Sequence, residues 1–302
     1  MEIKSPVTGS FNTSLIRDIP VADIVALYQK DHQLDVRPYF GGLSVIQLVE
    51  CKDTGYRFYY PFNIYGDDRF YQHLQQSPLY YLKEKWEYDQ AVRLIGENKK
   101  VLEIGSGAGY LMHKLTAAGK CASLYGLELN TKAVENSQKE GLNVINATIE
   151  DFAAKNPGTF DVAYALQVLE HVTDIHSFIT SSLQVLQPGG RLLFCVPHNN
   201  PYLYRHDFFH TLNLPPHHAG LWNRESFSKL PDFFPMRLKS VAIEPLSDYK
   251  IWYKTQVQFF KEKNSPLSGL LSIIPAPIYK NTLRLLKNFI EGRNIMVEFV
   301  KI

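Results

Sequence analysis

Short apolar runs alternate with amphipathic stretches through the middle of the chain. The run "VLEI", residues 101–104, is brief and rich in branched side chains, the pattern of a strand buried on both faces. After the turn "GSGAG", the stretch "YLMHKLTAAGK" sets Leu111, Leu115 and Ala118 on one helical face and stops at Gly119. "SLYGLELN" predicts a second strand ending in Glu128. Asn130 is the N-cap of a helix through "TKAVENSQK", which stops at Gly141. "NVINATIEDF" predicts a third strand followed by a turn over residues 148–151. "FDVAYALQVLEHV" carries a fourth strand from Asp161, which residues 167–171 leave. Asp174 caps "IHSFITSSLQVL"; Pro188, Gly189 and Gly190 turn the chain; "RLLFCVP" is a fifth strand. Strand and helix alternate with short links, which predicts an α/β fold with a parallel, doubly wound sheet.

The flanks follow other patterns. "KSVAIEPL" and "GRNIMVEFVKI" predict two further strands. Between them lies a segment that is aromatic at first and helical later. Its face of Leu283, Leu286, Phe289 and Ile290 suits core packing or contact with a second copy, as in a homodimer. Near the N-terminus, "SVIQLVE" and "YRFYYPF" predict a hairpin around "CKDTG". Pro78 opens a helix carrying Tyr80, Tyr81 and Trp86, aromatics that either pack on the core or cover a ligand. The division expected is an extension over residues 1–78, a core over 79–246, a helical insertion over 247–292 and a final core strand over 293–302.

Charge and cysteine usage narrow the classes. The 302 residues carry a formal net charge of +2, which points to neither a nucleic acid nor a membrane surface as partner. The three cysteines, Cys51, Cys121 and Cys195, stand too far apart for a disulfide scaffold or a zinc ribbon, so a reducing, cytoplasmic setting is expected. "MEIKSPVTGS" lacks the apolar stretch of a signal peptide, and "LSGLLSIIPAPIY" is too short to span a membrane and is broken by Pro275 and Pro277.

The turn after the first core strand carries the candidate chemistry. Gly105, Gly107 and Gly109 let the backbone pass close to a ligand at a strand's carboxyl end. The Gly-Lys-Ser/Thr triplet of a phosphate-binding P-loop is missing, and Tyr110 stands where a dinucleotide site needs its third glycine. Glu103 would repel a phosphate at short range and suits a cation instead. S-adenosylmethionine (SAM), with an ammonium, a sulfonium and no phosphate, is such a ligand. Glu128, at the end of the second strand, stands where a ribose diol would be hydrogen-bonded; with Asn130 as the cap, it is expected to be free for that task.

Taken together, "LEIGSGAGY", the acid in "GLELN", "ATIEDF", "FDVAYALQVLEHV" and "LQPGGRLLFCVP" resemble the class I SAM-dependent methyltransferases, of the small-molecule type found in bacterial polysaccharide and secondary-metabolite pathways, over roughly half of the chain. The resemblance implies a Rossmann-like seven-stranded sheet with its last strand antiparallel, carrying an N-terminal extension and a helical insertion before that strand. It implies SAM as cofactor and S-adenosylhomocysteine as product. Glu103, Gly105 and Gly107 would hold the methionine end, within a loop that includes Ser106, Gly109 and Tyr110. Glu128, with Leu129 beside it, would take the ribose. Thr148 and Ile149 would face the adenine, although many relatives carry an acid at the position of Thr148, a stronger acceptor. Leu166 and Gln167 would line the floor below the sulfur. Tyr81 and Trp86 would form a lid over the methionine end.

Several stretches imitate metal or base motifs. "HDFFH" has Asp207 where a zinc-protease helix needs Glu; "NNPY" follows the fifth strand rather than the fourth; Thr54 replaces the second cysteine that a zinc knuckle would need beside Cys51. "QVLEH" resembles the metal-tuning "EVLEH" of ubiquinone-pathway O-methyltransferases, but Gln167 replaces the first acid and leaves Glu170 and His171. No metal is therefore expected. Five of the ten histidines fall between His198 and His218, and "PPHHAGLWNRESFSKL" follows the fifth strand, over the sheet edge where substrate sits. His218, then His217 and His171, are the candidate proton acceptors; a purely structural loop is the other reading. Asn223 caps the helix that follows. The expected function is SAM-dependent methyl transfer to a small-molecule acceptor, on oxygen. A catalytically silent SAM-binding module is one alternative. A protein or RNA methyltransferase is the other, and the near-neutral charge disfavours RNA.

Overall fold

The computed structural model describes residues 2–74, 84–199, 211–246, 249–287 and 289–302. The chain opens with β1 (Thr13–Pro20), α1 (Val21–His32), β2 (Val45–Cys51), β3 (Arg57–Tyr60) and α2 (Asp68–Leu74). The central part runs α3 (Trp86–Leu94), β4 (Lys99–Ile104), α4 (Tyr110–Ala117), β5 (Cys121–Leu127), α5 (Thr131–Lys139), β6 (Val144–Ile145), α6 (Ile149–Lys155), β7 (Phe160–Leu166), α7 (Ile175–Gln184) and β8 (Leu186–Pro197). It closes with β9 (Gly220–Leu221), α8 (Arg224–Ser228), β10 (Met236–Pro245), α9 (Tyr249–Glu262), α10 (Leu267–Ile273), α11 (Ala276–Leu286) and β11 (Glu291–Lys301).

The main sheet has seven strands in the order β10-β11-β8-β7-β4-β5-β6. Strands β4 to β8 pair in parallel, and β11 pairs antiparallel with both β8 and β10. This is the Rossmann-like sheet expected from the sequence. Helices cover both faces, so Val101, Leu102, Leu192 and Leu193 are fully buried, which is why "VLEI" and "LLFCV" read as unbroken apolar runs. The register sets Glu103 between Gly126 on one side and Tyr164 on the other.

A second, antiparallel sheet takes the order β1-β2-β3-β9. The hairpin read around "CKDTG" is β2–β3. Strand β1 escapes a pattern reading, because Leu15 and Ile16 lie exposed on an edge and break the alternation. Strand β9 belongs to the stretch after "PPHH", and it pairs with β3 through Arg57–Leu221 and Phe58–Gly220. The two sheets share a core: Ile3, Val7, Cys51 and Phe58 belong to one cluster with Leu102, Phe194 and Trp222.

Three local readings change. The third strand is only two residues long, because the Asn146 amide donates to the carbonyls of Glu128 and Leu129, both at 2.9 Å, and draws the chain off the sheet edge. Residues 148–151 open a helix rather than a turn, with the Thr148 hydroxyl accepting from the Asp151 N–H as N-cap. The aromatic start of the insertion is itself the helix α9. Its apolar face divides: Leu283 is buried with Trp252 and Tyr279, while Leu286 and Phe289 stand exposed.

Candidate active site

Three loops meet at the carboxyl edge of the parallel strands. In the loop after β4, Gly105, Gly107 and Gly109 have φ of +77°, +53° and +72°, a region that side chains resist. Gly105 also has no room, since a Cβ there would lie 2.5 Å from Val168 Cγ2. That contact sets the loop after β7, with Glu170 and His171, directly against the glycine turn.

Glu103 ends β4 at 5 % exposure, and the Tyr164 hydroxyl donates to it at 3.0 Å. Burial lifts its carboxyl to about 8; the Tyr164 hydrogen bond opposes the lift and the Glu128 charge adds to it. Next to it, Ser106 Oγ is buried with no hydrogen-bond partner among the described residues. A buried acid and an orphaned hydroxyl on a left-handed turn suit a ligand that carries a positive charge.

Glu128 is not free as expected. Its Oε2 accepts from the Gly107 N–H at 2.7 Å, and its Oε1 accepts from the N–H groups of Leu129 and Asn130 at 2.9 and 2.8 Å. A strand-end carboxylate bridges two loops here; Oε1 is filled by its two amides, and Oε2 keeps capacity for one further donor. Leu129 beside it is 66 % exposed. Tyr110 is half-buried at the start of α4. Thr148 lies nearby as the α6 cap, but the Ile149 side chain does not face a ligand: it is 2 % exposed in the central core, because it begins the buried face of α6. Leu166 ends β7 almost buried, and Gln167 follows with φ of +57°, its amide donating to Asn294 at 3.2 Å. Trp86 packs half-buried on the cluster holding Leu111 and Leu166. Tyr80, Tyr81, Pro78 and the "HDFFH" stretch lie outside the described residues.

The structure brings His171, His217 and His218 together. Ring centroids are 4.7 Å apart for His171 and His217, 5.0 Å for His171 and His218, and 4.6 Å for the stacked His217 and His218. Burial holds the His171 imidazole down at about 4, the hydrogen bond to the His217 carbonyl partly opposing, so His171 is neutral and a weak base at pH 7. Burial likewise lifts Glu170 to about 8. Glu170 Oε1 lies 3.9 Å from His171 Nε2, yet with both groups neutral the contact is no ion pair.

Other participants had no separate signal in the pattern. Tyr71 on α2 reaches His171 Nδ1 at 3.4 Å. Tyr28 and Tyr59 each donate at 2.9 Å to the carbonyls of Leu214 and Asn213, in the loop before the histidines. Glu87 on α3 is 3 % exposed, with its carboxyl lifted by burial. An acid among the apolar positions of α3 was the one available cue to it.

A family model described as a methyltransferase domain matches residues 80–232. The chain belongs to this methyltransferase family. Among curated proteins, the ubiquinone biosynthesis O-methyltransferase of Saccharophagus degradans is 36% identical over 112 residues, 35% of this chain and 47% of that protein. The one from Vibrio parahaemolyticus is 34% identical over 125 residues, 39% of this chain and 52% of that protein. The chain thus spans about half the length of these curated relatives. With that of Ralstonia nicotianae the match is 29% identical over 185 residues and reaches 56% of this chain and 77% of the relative. Among solved structures, a SAM-dependent methyltransferase from Archaeoglobus fulgidus aligns with a TM-score of 0.52 at 12% identity, covering 78% of this chain and all of that one. At that identity the likeness is one of fold.

Proposed function

We propose that this chain transfers a methyl group from SAM to the hydroxyl of a small-molecule acceptor. The observation that carries the reading is the buried Glu103 carboxyl set against a left-handed glycine turn and an orphaned Ser106 hydroxyl. The O-methyltransferase names of the matched relatives support oxygen as the acceptor atom. The residues present fit the cofactor. Glu103 and the turn through Gly105, Ser106, Gly107 and Gly109 would bind the methionine end, with Tyr110 opening the helix behind them. Glu128 would take a ribose hydroxyl at Oε2 besides the amides it already holds, beside Leu129. Thr148 would donate its hydroxyl proton towards the adenine, together with the Ile149 backbone N–H. Leu166 and Gln167 would form the floor, with Trp86 and Tyr81 at the methionine end.

Bound SAM supplies an electrophilic methyl group on a sulfonium. The work of the chain is then mainly alignment of the acceptor oxygen with that methyl group. His218, His217 and His171 would orient the hydroxyl, and His218 or His217 would take its proton on a ring nitrogen as the methyl arrives. The insertion, with Leu285 and Phe289 81 % and 85 % exposed, would meet a second copy. No helix of the described residues is long and apolar enough to cross a membrane. A cytoplasmic setting belongs to the same proposal, on the strength of three free cysteines.

Calorimetry with SAM and with S-adenosylhomocysteine tests the core of the reading. One site per chain is expected, weakened by about 1–3 kcal/mol in Glu128→Ala through loss of charge-assisted hydrogen bonds. Absence of binding to either compound would overturn it.

A further inference from the structure

We propose that His171, His217 and His218 form a site for a divalent transition metal of the zinc class. Each ring offers one nitrogen, and the three nitrogens lie within 4.8 Å of one another. A tetrahedral ion with nitrogen ligands at about 2.0–2.1 Å needs them about 3.3 Å apart, so an ion would draw the three rings closer together.

The stronger observation concerns the other side of each ring. His171 Nδ1 lies 2.7 Å from the His217 carbonyl oxygen, His217 Nδ1 lies 2.9 Å from the Leu212 carbonyl oxygen, and His218 Nδ1 lies 3.1 Å from Asn213 Oδ1. A carbonyl oxygen only accepts, so every Nδ1 carries the proton and every Nε2 carries the lone pair. Metal-binding histidines are oriented in this way, with the nitrogen remote from the ion donating to a carbonyl or carboxylate. A stack of histidines kept only for packing has no need for the same tautomer three times.

A buried acid supplies an independent pointer. Glu170 is 1 % exposed, and its Oε2 has no hydrogen-bond partner among the described residues. Its backbone carbonyl accepts from the Ala219 N–H at 2.7 Å, which ties the turn of His171 to the loop of His217 and His218. A cation between the rings would give that carboxylate a counter-charge. Imidazole ligands suit zinc, iron, nickel or copper rather than magnesium or calcium. Three protein ligands leave a coordination position open, as in sites that bind a ligand rather than merely brace a fold. The sequence pairs only Glu170 with His171; the loop after β8 brings the other two ligands. In the setting of the proposed methyl transfer, the histidines would then act on the acceptor through the ion rather than as bases. The site itself stands without that reading.

The test uses the full chain, stripped with a chelator and titrated with zinc and with cobalt. One equivalent per chain is expected, with visible cobalt absorption typical of nitrogen ligands. His171→Ala, His217→Ala and His218→Ala should each weaken binding more than tenfold. Asn213→Leu touches no ion and should weaken it by about 10–100-fold through loss of ring orientation. Failure of the unaltered protein to bind either ion stoichiometrically overturns the site, and so does unchanged affinity in all four variants. SAM calorimetry on the stripped protein separates the two readings: SAM binding without metal binding sinks the metal site alone.

Discussion

Burial lifts the Glu103 carboxyl to about 8, from an ordinary value of 4.5. The folded chain therefore keeps a proton that the unfolded chain has released between those two values. The contribution of this group to stability is complete below about 4.5 and is lost as pH rises through 8. A cationic ligand reverses the preference, because an ammonium beside the carboxyl favours its charged form. Binding of SAM at pH 7 should therefore expel close to one proton. Calorimetry in buffers of different ionisation enthalpy measures it directly. Glu103→Gln should abolish the release, and it should flatten the fall in stability between about pH 4.5 and 8. Zero release in the unaltered protein would mean that Glu103 does not meet the charged end of the ligand. His171 has the opposite character, its imidazole held down at about 4, so no change in its charge is expected across the same range.

At the scale of elements, the loop before His217 hangs on two buried tyrosines of the N-terminal sheet and its helix. Tyr28 donates to the Leu214 carbonyl and Tyr59 to the Asn213 carbonyl. Removing the Tyr59 hydroxyl takes the donor from the Asn213 carbonyl, at about 1–3 kcal/mol, whereas the Leu214 carbonyl keeps the N–H groups of His217 and His218 when the Tyr28 hydroxyl is removed. The double variant Tyr28→Phe with Tyr59→Phe should speed hydrogen exchange at residues 211–221 while β7 and β8 stay protected. Unchanged exchange in that loop would show that other contacts hold it. These anchors also mark what a pattern reading could reach. Strands β4, β7 and β8 announce themselves because both their faces are buried, and Asn130, Asp174 and Asn223 serve as the caps their positions predict. The glycine turn was legible because a left-handed backbone asks for glycine. The tie between Glu128 and the Gly107 N–H, 21 residues apart, was not, since an acid at a strand end reads the same with or without such a bond. Nor was the meeting of His171 with His217 and His218, which depends on a register between β3 and β9 that no local period encodes.

In the whole molecule, packing does not set residues 1–78 apart from the core that follows. The N-terminal sheet is not an appendage: Trp222, fully buried, packs on Tyr56 at 4.3 Å and on Phe227 at 4.6 Å, in the same cluster as Leu102 and Phe194 of the parallel sheet. Strand β9 then threads the histidine loop into that second sheet. Residues β2, β3 and β4 to β8 should therefore unfold together, and the histidine cluster with them. The insertion is built otherwise. Helices α9 to α11 hold their own small cluster, Leu246, Trp252, Tyr279 and Leu283, and leave Leu270, Ile273 and Leu285 exposed at 65 %, 80 % and 81 %. So little buried apolar surface supports only a low local stability. Hydrogen exchange over a series of sub-denaturing urea concentrations distinguishes the two parts. Amides of α9 and α11 should exchange through an opening well below the global free energy, while those of β2, β3, β7 and β8 converge on one global opening. Such an order would let the insertion open over the carboxyl edge of the strands without loosening the glycine turn or the histidines. Early exchange of β2 and β3, with β7 still protected, would instead make the N-terminal sheet a separate unit and leave the histidine loop without a rigid support.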